Sequence, residues 1–142
     1  MAGEQPAAGR PERVLVDLLG LLAIADHAIT LQPRAEAVLC PCGTHDEARV
    51  RQAERLAEEY YELWSRSLSY APHAGPGSLE RGLSALIERH YQVLQMTLRL
   101  GLSESPTPRS EKRLADLRSA GAGLRPVRDE LTLWIMALTP AG

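Results

Sequence analysis

The sequence predicts an all-α protein, an up-down-up-down antiparallel four-helix bundle with a kinked fourth helix. Apolar residues recur at helical spacing in four segments, each of roughly 25 to 30 residues, and no segment alternates in the manner of a β-strand. Short loops rich in proline and glycine separate these segments. Long helices of similar length joined by short loops are expected to pack as antiparallel neighbours.

The first predicted helix contains the most apolar stretch of the chain, VLVDLLGLLAIADHAITL at positions 14–31. Pro11 suits a first helical turn, because the backbone N–H that proline lacks has no partner there. Residues 1–10 are small and polar and are predicted to form a disordered tail, which leaves a single domain over 11–139. An apolar row continues across Pro33, so we expect this helix to kink there and go on. That row consists of Ile24, Ala28, Leu31, Ala35 and Val38.

Capping residues bound the second and third helices. Thr44 followed by Glu47 has the pattern of a capping box, and the helix that it starts is expected to reach about Tyr70. Ser78 is the predicted N-cap of the third helix, and Gly101 is its predicted C-terminal stop.

The fourth helix is predicted to begin at Thr107-Pro108, a cap followed by a first-turn proline. Gly121, Gly123 and Pro126 interrupt it, yet the apolar spacing keeps its helical phase from Leu114 to Leu138. We therefore predict one long helix that is bent at positions 121–126.

Composition and charge exclude some classes of function. The net charge is −2 and the arginines are scattered among acids, which argues against a nucleic-acid-binding surface. Asp17, Asp26 and His27 would lie in lipid if the first helix crossed a membrane, so no membrane span is predicted. Two cysteines and a polar N-terminus favour a cytoplasmic protein without a disulfide framework. The many Arg, Ala and Gly residues favour a GC-rich bacterial source.

Polar residues are predicted to meet in a mid-bundle layer formed by Asp26, Tyr60, His90 and Gly121. On a helical wheel Asp26 lies close to Leu19 and Leu22, and each of the four residues lies at a similar distance from the same end of the bundle. A buried carboxylate must find partners or take up a proton.

Three interpretations of this layer are open. It is a hydrogen-bonded pair that fixes helix register, a small-molecule pocket with the glycine providing space, or a metal or catalytic site. No nucleophile matches an Asp26–His90 base, and the Glu-x-x-His pairs of ferritin-like di-iron proteins are absent from the sequence.

The turn after the first helix offers a second candidate site. Cys40, Cys42 and His45 could supply soft ligands to zinc or copper. The alternative is that Cys40 is a small buried residue that ends the helix while His45 is a surface residue.

The apolar surplus of the first helix suggests a function. More of its circumference is apolar than a bundle helix normally buries, and the surplus favours burial against another subunit. We therefore expect a non-enzymatic helical interaction or regulatory protein without a cofactor, acting as a homodimer or with a helical protein partner. The alternative is a small-molecule-binding bundle built on the layer of Asp26 and His90, and an enzyme ranks last.

Overall fold

The computed structural model describes residues 11–40, 47–70, 78–102 and 105–139, apart from the side chains of 11–13. This part of the chain consists of four helices and contains no β-strand. Their bounds are α1 Pro11–Leu39, α2 Glu47–Leu68, α3 Leu79–Leu100 and α4 Pro108–Leu138. The predicted all-α four-helix bundle is confirmed.

Side-chain contacts define the direction of each helix. Asp26 of α1 pairs with Arg128 of α4, and Glu36 pairs with Arg118, so residue numbers rise along α1 as they fall along α4. The α2 and α3 helices are antiparallel in the same way, since Tyr60 stacks on His90 while Ser67 bonds Ser84.

Packing is most extensive between α1 and α4 and between α2 and α3, and the bundle is completed by the α3/α4 and α1/α2 contacts. The helices differ in length more than the sequence predicts. The α2 and α3 helices have 22 residues each, whereas α1 has 29 and α4 has 31. Gly20 of α1 packs against the ring of Tyr70, the last described residue after α2. The first turns of α1 and the last turns of α4 therefore extend as a pair beyond that level.

The core is built from Leu, Ala and Ile side chains of all four helices. The predicted α1 row from Ile24 to Val38 is buried along its whole length, which confirms both the row and the continuity of α1 through Pro33. The remaining buried positions include Leu56, Leu63, Leu83, Ile87, Leu94, Leu117, Leu124 and Leu131.

The structure confirms the predicted caps of α3 and α4. Ser78 Oγ accepts a hydrogen bond from the backbone N–H of Arg81, and Gly101 ends α3 with a φ of 95°, a conformation that glycine adopts without strain. Thr107 and Ser110 exchange side-chain and backbone hydrogen bonds at the start of α4. The predicted cap Thr44 lies outside the described residues.

The fourth helix is continuous from Pro108 to Leu138, with Pro126 inside it. The predicted single long helix is thus confirmed, while its bend at 121–126 stays a prediction. At the end of α1, Arg49 of α2 donates from Nε to the Val38 carbonyl at 2.9 Å and from Nη2 to the Cys40 carbonyl at 2.7 Å. These bonds satisfy carbonyls that the end of a helix leaves without partners.

Candidate functional site

Tyr60 and His90 meet in the middle of the bundle, as the sequence predicts. Both side chains are fully buried, and their rings stack with centroids 4.7 Å apart and 16° between the planes. The Tyr60 hydroxyl donates a long hydrogen bond of 3.4 Å to the Ala28 carbonyl of α1. The stack joins α2 to α3, and the hydroxyl joins α2 to α1.

Gln32, and not Asp26, is the α1 residue that reaches this pair. Nε2 of His90 lies 2.6 Å from Oε1 of Gln32, and Nδ1 of His90 lies 2.8 Å from the Leu86 carbonyl one turn back in α3. The Gln32 amide nitrogen donates to the Leu117 carbonyl of α4 at 3.1 Å and to the Glu36 carboxylate at 3.0 Å. Gln32 therefore connects α1, α3 and α4.

The predicted burial of Asp26 is wrong. Its side chain is 55% exposed, and Oδ1 lies 3.6 Å from Nε of Arg128 at the α1/α4 surface. The row that Asp26 shares with Leu19 and Leu22 runs along the outer edge of α1, where Leu19 is itself exposed and Leu22 is half-buried. A helix that is apolar on nearly every side gives no unambiguous inner face, so its sequence does not show which row is buried.

The pattern that marks Gln32 is present in the sequence. Gln32 follows Ala25 by seven positions and Ala28 by four, and both alanines are buried. Such spacing places all three on one face of a helix. A polar residue in line with two small apolar residues of α1 is thus the informative exception.

Gly121 lies at the level of the layer, as predicted, but the Gln32 side chain occupies the space that the glycine leaves. A Cβ built at Gly121 would overlap the Gln32 side-chain amide. The glycine therefore allows Gln32 to pass close to the backbone of α4 on its way to the Leu117 carbonyl. Behind this contact, Oε1 of Glu36 lies 3.3 Å from Nε of Arg118, where the layer reaches the surface.

Burial controls the protonation of the two stacked rings. It lowers the pKa of the His90 imidazole below its ordinary value, and the Leu86 carbonyl and the Glu36 carboxylate oppose this shift only in part. Burial also raises the pKa of the Tyr60 phenol, helped by the charges of Glu59 and Glu36, so this hydroxyl stays protonated. Within the described ranges every buried side-chain nitrogen and oxygen has a hydrogen-bond partner. The layer is a closed network.

A cleft between α1 and α4 leads from the surface to this network. Its volume is about 390 Å³. Polar and small residues line it, among them Gln32, Glu36, Arg118, Gly121 and Arg125. Asp26 is not among its lining residues.

The predicted metal set is not supported at Cys40. This residue follows α1, is half-buried and is disulfide-bonded. A disulfide sulfur is not the thiolate that binds zinc or copper, so Cys40 as it stands here is no ligand. Cys42 and His45 lie outside the described residues.

Four large apolar side chains are exposed on the extending ends of α1 and α4. We call this set the α1/α4 patch; it consists of Val16, Leu19, Leu133 and Met136, which are 64%, 48%, 65% and 66% exposed. The Asp26–Arg128 pair sets the register in which Leu19 lies near the level of Met136. Trp134, also exposed, continues the surface around α4 and with Leu133 lines a cleft of about 620 Å³. The apolar surplus of α1 in the sequence predicts the α1 residues of this patch, whereas the sequence does not predict its α4 residues.

The segment Val14–Leu39 is also long and apolar enough to cross a membrane, with a mean hydropathy of 1.9. The core helix of a soluble protein meets the same criterion. In this bundle the inner row of the segment packs against the other three helices.

Comparison of the chain with known protein families, curated proteins and solved structures found no match. The fold and surfaces described above define an all-α four-helix bundle with a closed polar layer in its core and an apolar patch at one end.

Proposed function

We propose that the protein is a non-enzymatic helical interaction protein that acts as a homodimer through the α1/α4 patch. One observation carries the proposal: four large apolar side chains, each roughly half to two-thirds exposed, lie at the same end of two adjacent antiparallel helices. Large contiguous apolar patches on a soluble protein are typical of interaction surfaces, because covering them removes apolar area from water.

The charges around the patch favour a second copy of this chain as the occupant. Arg125 and Arg128 lie on α4 close to Asp129 and Glu130, and all but the half-buried Arg128 are exposed. In a two-fold dimer each surface meets itself, so arginines of one copy can face the acids of the other.

Sedimentation equilibrium at micromolar concentration tests the proposal. We expect the native chain to be a dimer and Met136→Glu, alone or with Leu19→Glu, to be a monomer, since a charge on the patch must be desolvated on association. Met96→Glu is the matched control, because Met96 lies on α3 and is 49% exposed. A monomeric native chain, or a dimer that Met136→Glu leaves intact, would rule the proposal out.

The alternative function is a small-molecule-binding bundle, with the cleft between α1 and α4 as its entrance. The Gln32 amide lies at the inner end of this cleft, and Arg118 and Arg125 lie at its mouth. These groups favour ligand binding in the cleft over a pocket between Asp26 and His90. Both ring nitrogens of His90 are already engaged, which favours orientation of a ligand through Gln32 over catalysis.

A thermal-shift screen of metabolites tests the alternative. A ligand that stabilises the native chain but not Gly121→Ala supports it, because the added methyl group displaces Gln32 at the end of the cleft. Asp26→Asn is the control and should respond like the native chain. The alternative fails if no compound stabilises the native chain, or if the stabilisation is unaffected by Gly121→Ala.

A further inference from the structure

The hydrogen bonds of Gln32 fix the orientation of its side-chain amide. One end of the amide faces the Leu117 carbonyl and the Glu36 carboxylate, at 3.1 and 3.0 Å. A carbonyl and an ionised carboxylate can only accept hydrogen bonds. That end must therefore be the amide nitrogen, and the amide oxygen faces His90.

The two contacts of His90 then require two ring protons. Nδ1 lies 2.8 Å from the Leu86 carbonyl and Nε2 lies 2.6 Å from the Gln32 amide oxygen. Both oxygens accept, so each ring nitrogen must carry a hydrogen. Only the imidazolium form of His90 satisfies this arrangement in full.

A neutral His90 keeps one of its two ring hydrogens. With that hydrogen on Nε2, Gln32 stays as it is, but the Nδ1 lone pair lies 2.8 Å from the Leu86 carbonyl, a helix backbone group that cannot turn away. If Nδ1 keeps its hydrogen for the Leu86 carbonyl, Nε2 has a lone pair and faces the amide oxygen of Gln32. Turning the amide over gives Nε2 a donor, but it places the amide oxygen against the Leu117 carbonyl and the Glu36 carboxylate. Both bonds made by the amide nitrogen are then lost, including the one from α1 to the backbone of α4.

We propose that the proton on His90 sets the orientation of the Gln32 amide, and with it the hydrogen bond that ties α1 to α4 at Leu117. The core thus contains a pH-sensitive device. Uptake of a proton at Nε2 of His90 makes the bond from Gln32 to Leu117, and release of the proton from Nε2 breaks it. The device is independent of the proposed dimer, because all its groups lie within one chain.

The charged and titratable groups around His90 come from every neighbouring helix. From α1, Glu36 reaches it through Gln32, and from α4, Arg118 pairs with Glu36 at 3.3 Å. From α2, Tyr60 stacks on the ring, while the adjacent Glu59 pairs with His27 at 3.5 Å.

On the outer faces of α3 and α4, Arg89 is exposed and Asp116 pairs with Lys112. Burial outweighs the effect of Glu36 and keeps the pKa of His90 below its ordinary 6.5. The change is therefore expected on the acid side of that value.

Nuclear magnetic resonance of the full chain between pH 8 and pH 4.5 tests the device. We expect the nitrogen-15 resonances of the His90 ring to change from the Nδ1–H tautomer to the doubly protonated form as the pH falls. The side-chain amide of Gln32 and the carbonyl carbon of Leu117 should shift with the same midpoint. A ring that stays neutral to pH 4.5, a neutral ring in the Nε2–H tautomer at pH 8, or a Gln32 amide that does not follow the ring would overturn the proposal.

Substitution of Gln32 gives a second test. Gln32→Glu replaces the amide with a carboxylate, and either carboxylate oxygen can accept a hydrogen bond from His90. The midpoint of His90 protonation should therefore rise by about one pH unit or more. Gln92→Glu is the matched control: Gln92 lies on the exposed side of α3 and donates a hydrogen bond to Glu88 at 3.4 Å. An equal rise of the midpoint in both variants would show a general charge effect and contradict the device.

Discussion

The ring of Tyr60 lies against the ring of His90 with centroids 4.7 Å apart, and this stack is the direct contact between α2 and α3 at the centre of the bundle. Its two members have different tasks. The phenol fills volume and makes only one long bond, whereas the imidazole makes two short ones. The difference leads to a prediction for each residue.

Tyr60→Phe should lower the free energy of unfolding by about 1 kcal/mol or less, because the stack remains and only the 3.4 Å bond to the Ala28 carbonyl is lost. Tyr60→Ala should lower it by about 3–5 kcal/mol, since it leaves a ring-sized cavity beside His90. Urea denaturation followed by circular dichroism measures both. Equal losses in the two variants would mean that the hydroxyl, and not the ring, stabilises the layer.

The pH dependence of stability should report on His90. Its pKa is lowered by burial, so the unfolded chain takes up the proton at a higher pH than the folded chain. The neutral, buried His90 therefore makes its full contribution to the free energy of unfolding above pH 6.5. This contribution is lost as the pH falls from 6.5 through the pKa of the folded chain, by at most about 1.4 kcal/mol per pH unit.

Urea denaturation between pH 7.5 and pH 5.5 checks this, above the range in which most carboxylates titrate. The double variant Gln32→Leu with His90→Phe should lose the dependence that His90 causes. His27→Gln should keep it, because His27 is exposed and its partner Glu59 lies at the surface. The attribution to His90 fails if the double variant retains the full dependence.

Two glycines within helices should respond to alanine in opposite directions. At Gly82 an added Cβ meets nothing within 4 Å, so Gly82→Ala should stabilise by about 0.5–1 kcal/mol through the lower flexibility of the unfolded chain. At Gly121 the same methyl group displaces the Gln32 amide, and the disturbed network should make Gly121→Ala destabilising by about 1–3 kcal/mol. Thermal unfolding of the two variants measures both effects. Stabilisation by both substitutions would show that the Gln32 side chain moves aside without losing its hydrogen bonds.

Arg49 should be sensitive even to lysine. Its guanidinium reaches the carbonyls of Val38 and Cys40 together, which a single ammonium group cannot do in the same geometry. We expect Arg49→Lys to lower the free energy of unfolding by about 1.5–3 kcal/mol. Arg55→Lys, at an exposed position of α2, should change it by less than about 0.5 kcal/mol. Guanidinium denaturation of the two variants measures the difference. An unchanged free energy of unfolding in Arg49→Lys would contradict the proposed capping of α1 by Arg49.

Asp26 should contribute little to stability. The ion pair with Arg128 is 3.6 Å long and both side chains are 40% exposed or more, so water screens it. Asp26→Asn should therefore change the free energy of unfolding by less than about 0.5 kcal/mol, and the nitrogen-15 resonances of His90 should not move. A larger effect would mean that Asp26 reaches the core after all.

The sites illustrate how far a single sequence carries the argument. His90, Tyr60 and Gly121 were brought to one level by counting residues from the same end of the bundle, and the structure places all three there. Counting works because each helical residue rises by a fixed amount, so height follows from sequence position alone. The direction in which a side chain points around the helix axis cannot be read from the sequence when the helix is apolar on nearly every side. Asp26 was therefore assigned to the core in place of Gln32.

The sequence by itself determined the elements of this protein. Local rules decided where its helices start and stop: Ser78 and Thr107 as caps, Gly101 as a stop, and the apolar spacing that carries α1 through Pro33 and α4 through Pro126. Only the tertiary structure decided which face of α1 turns inward, because that choice depends on the surfaces of α2, α3 and α4 together. It also decided that Gln32 bridges three helices and that the end of α4 with Leu133 and Met136 lies beside the start of α1, since segments far apart in the sequence become neighbours only through packing.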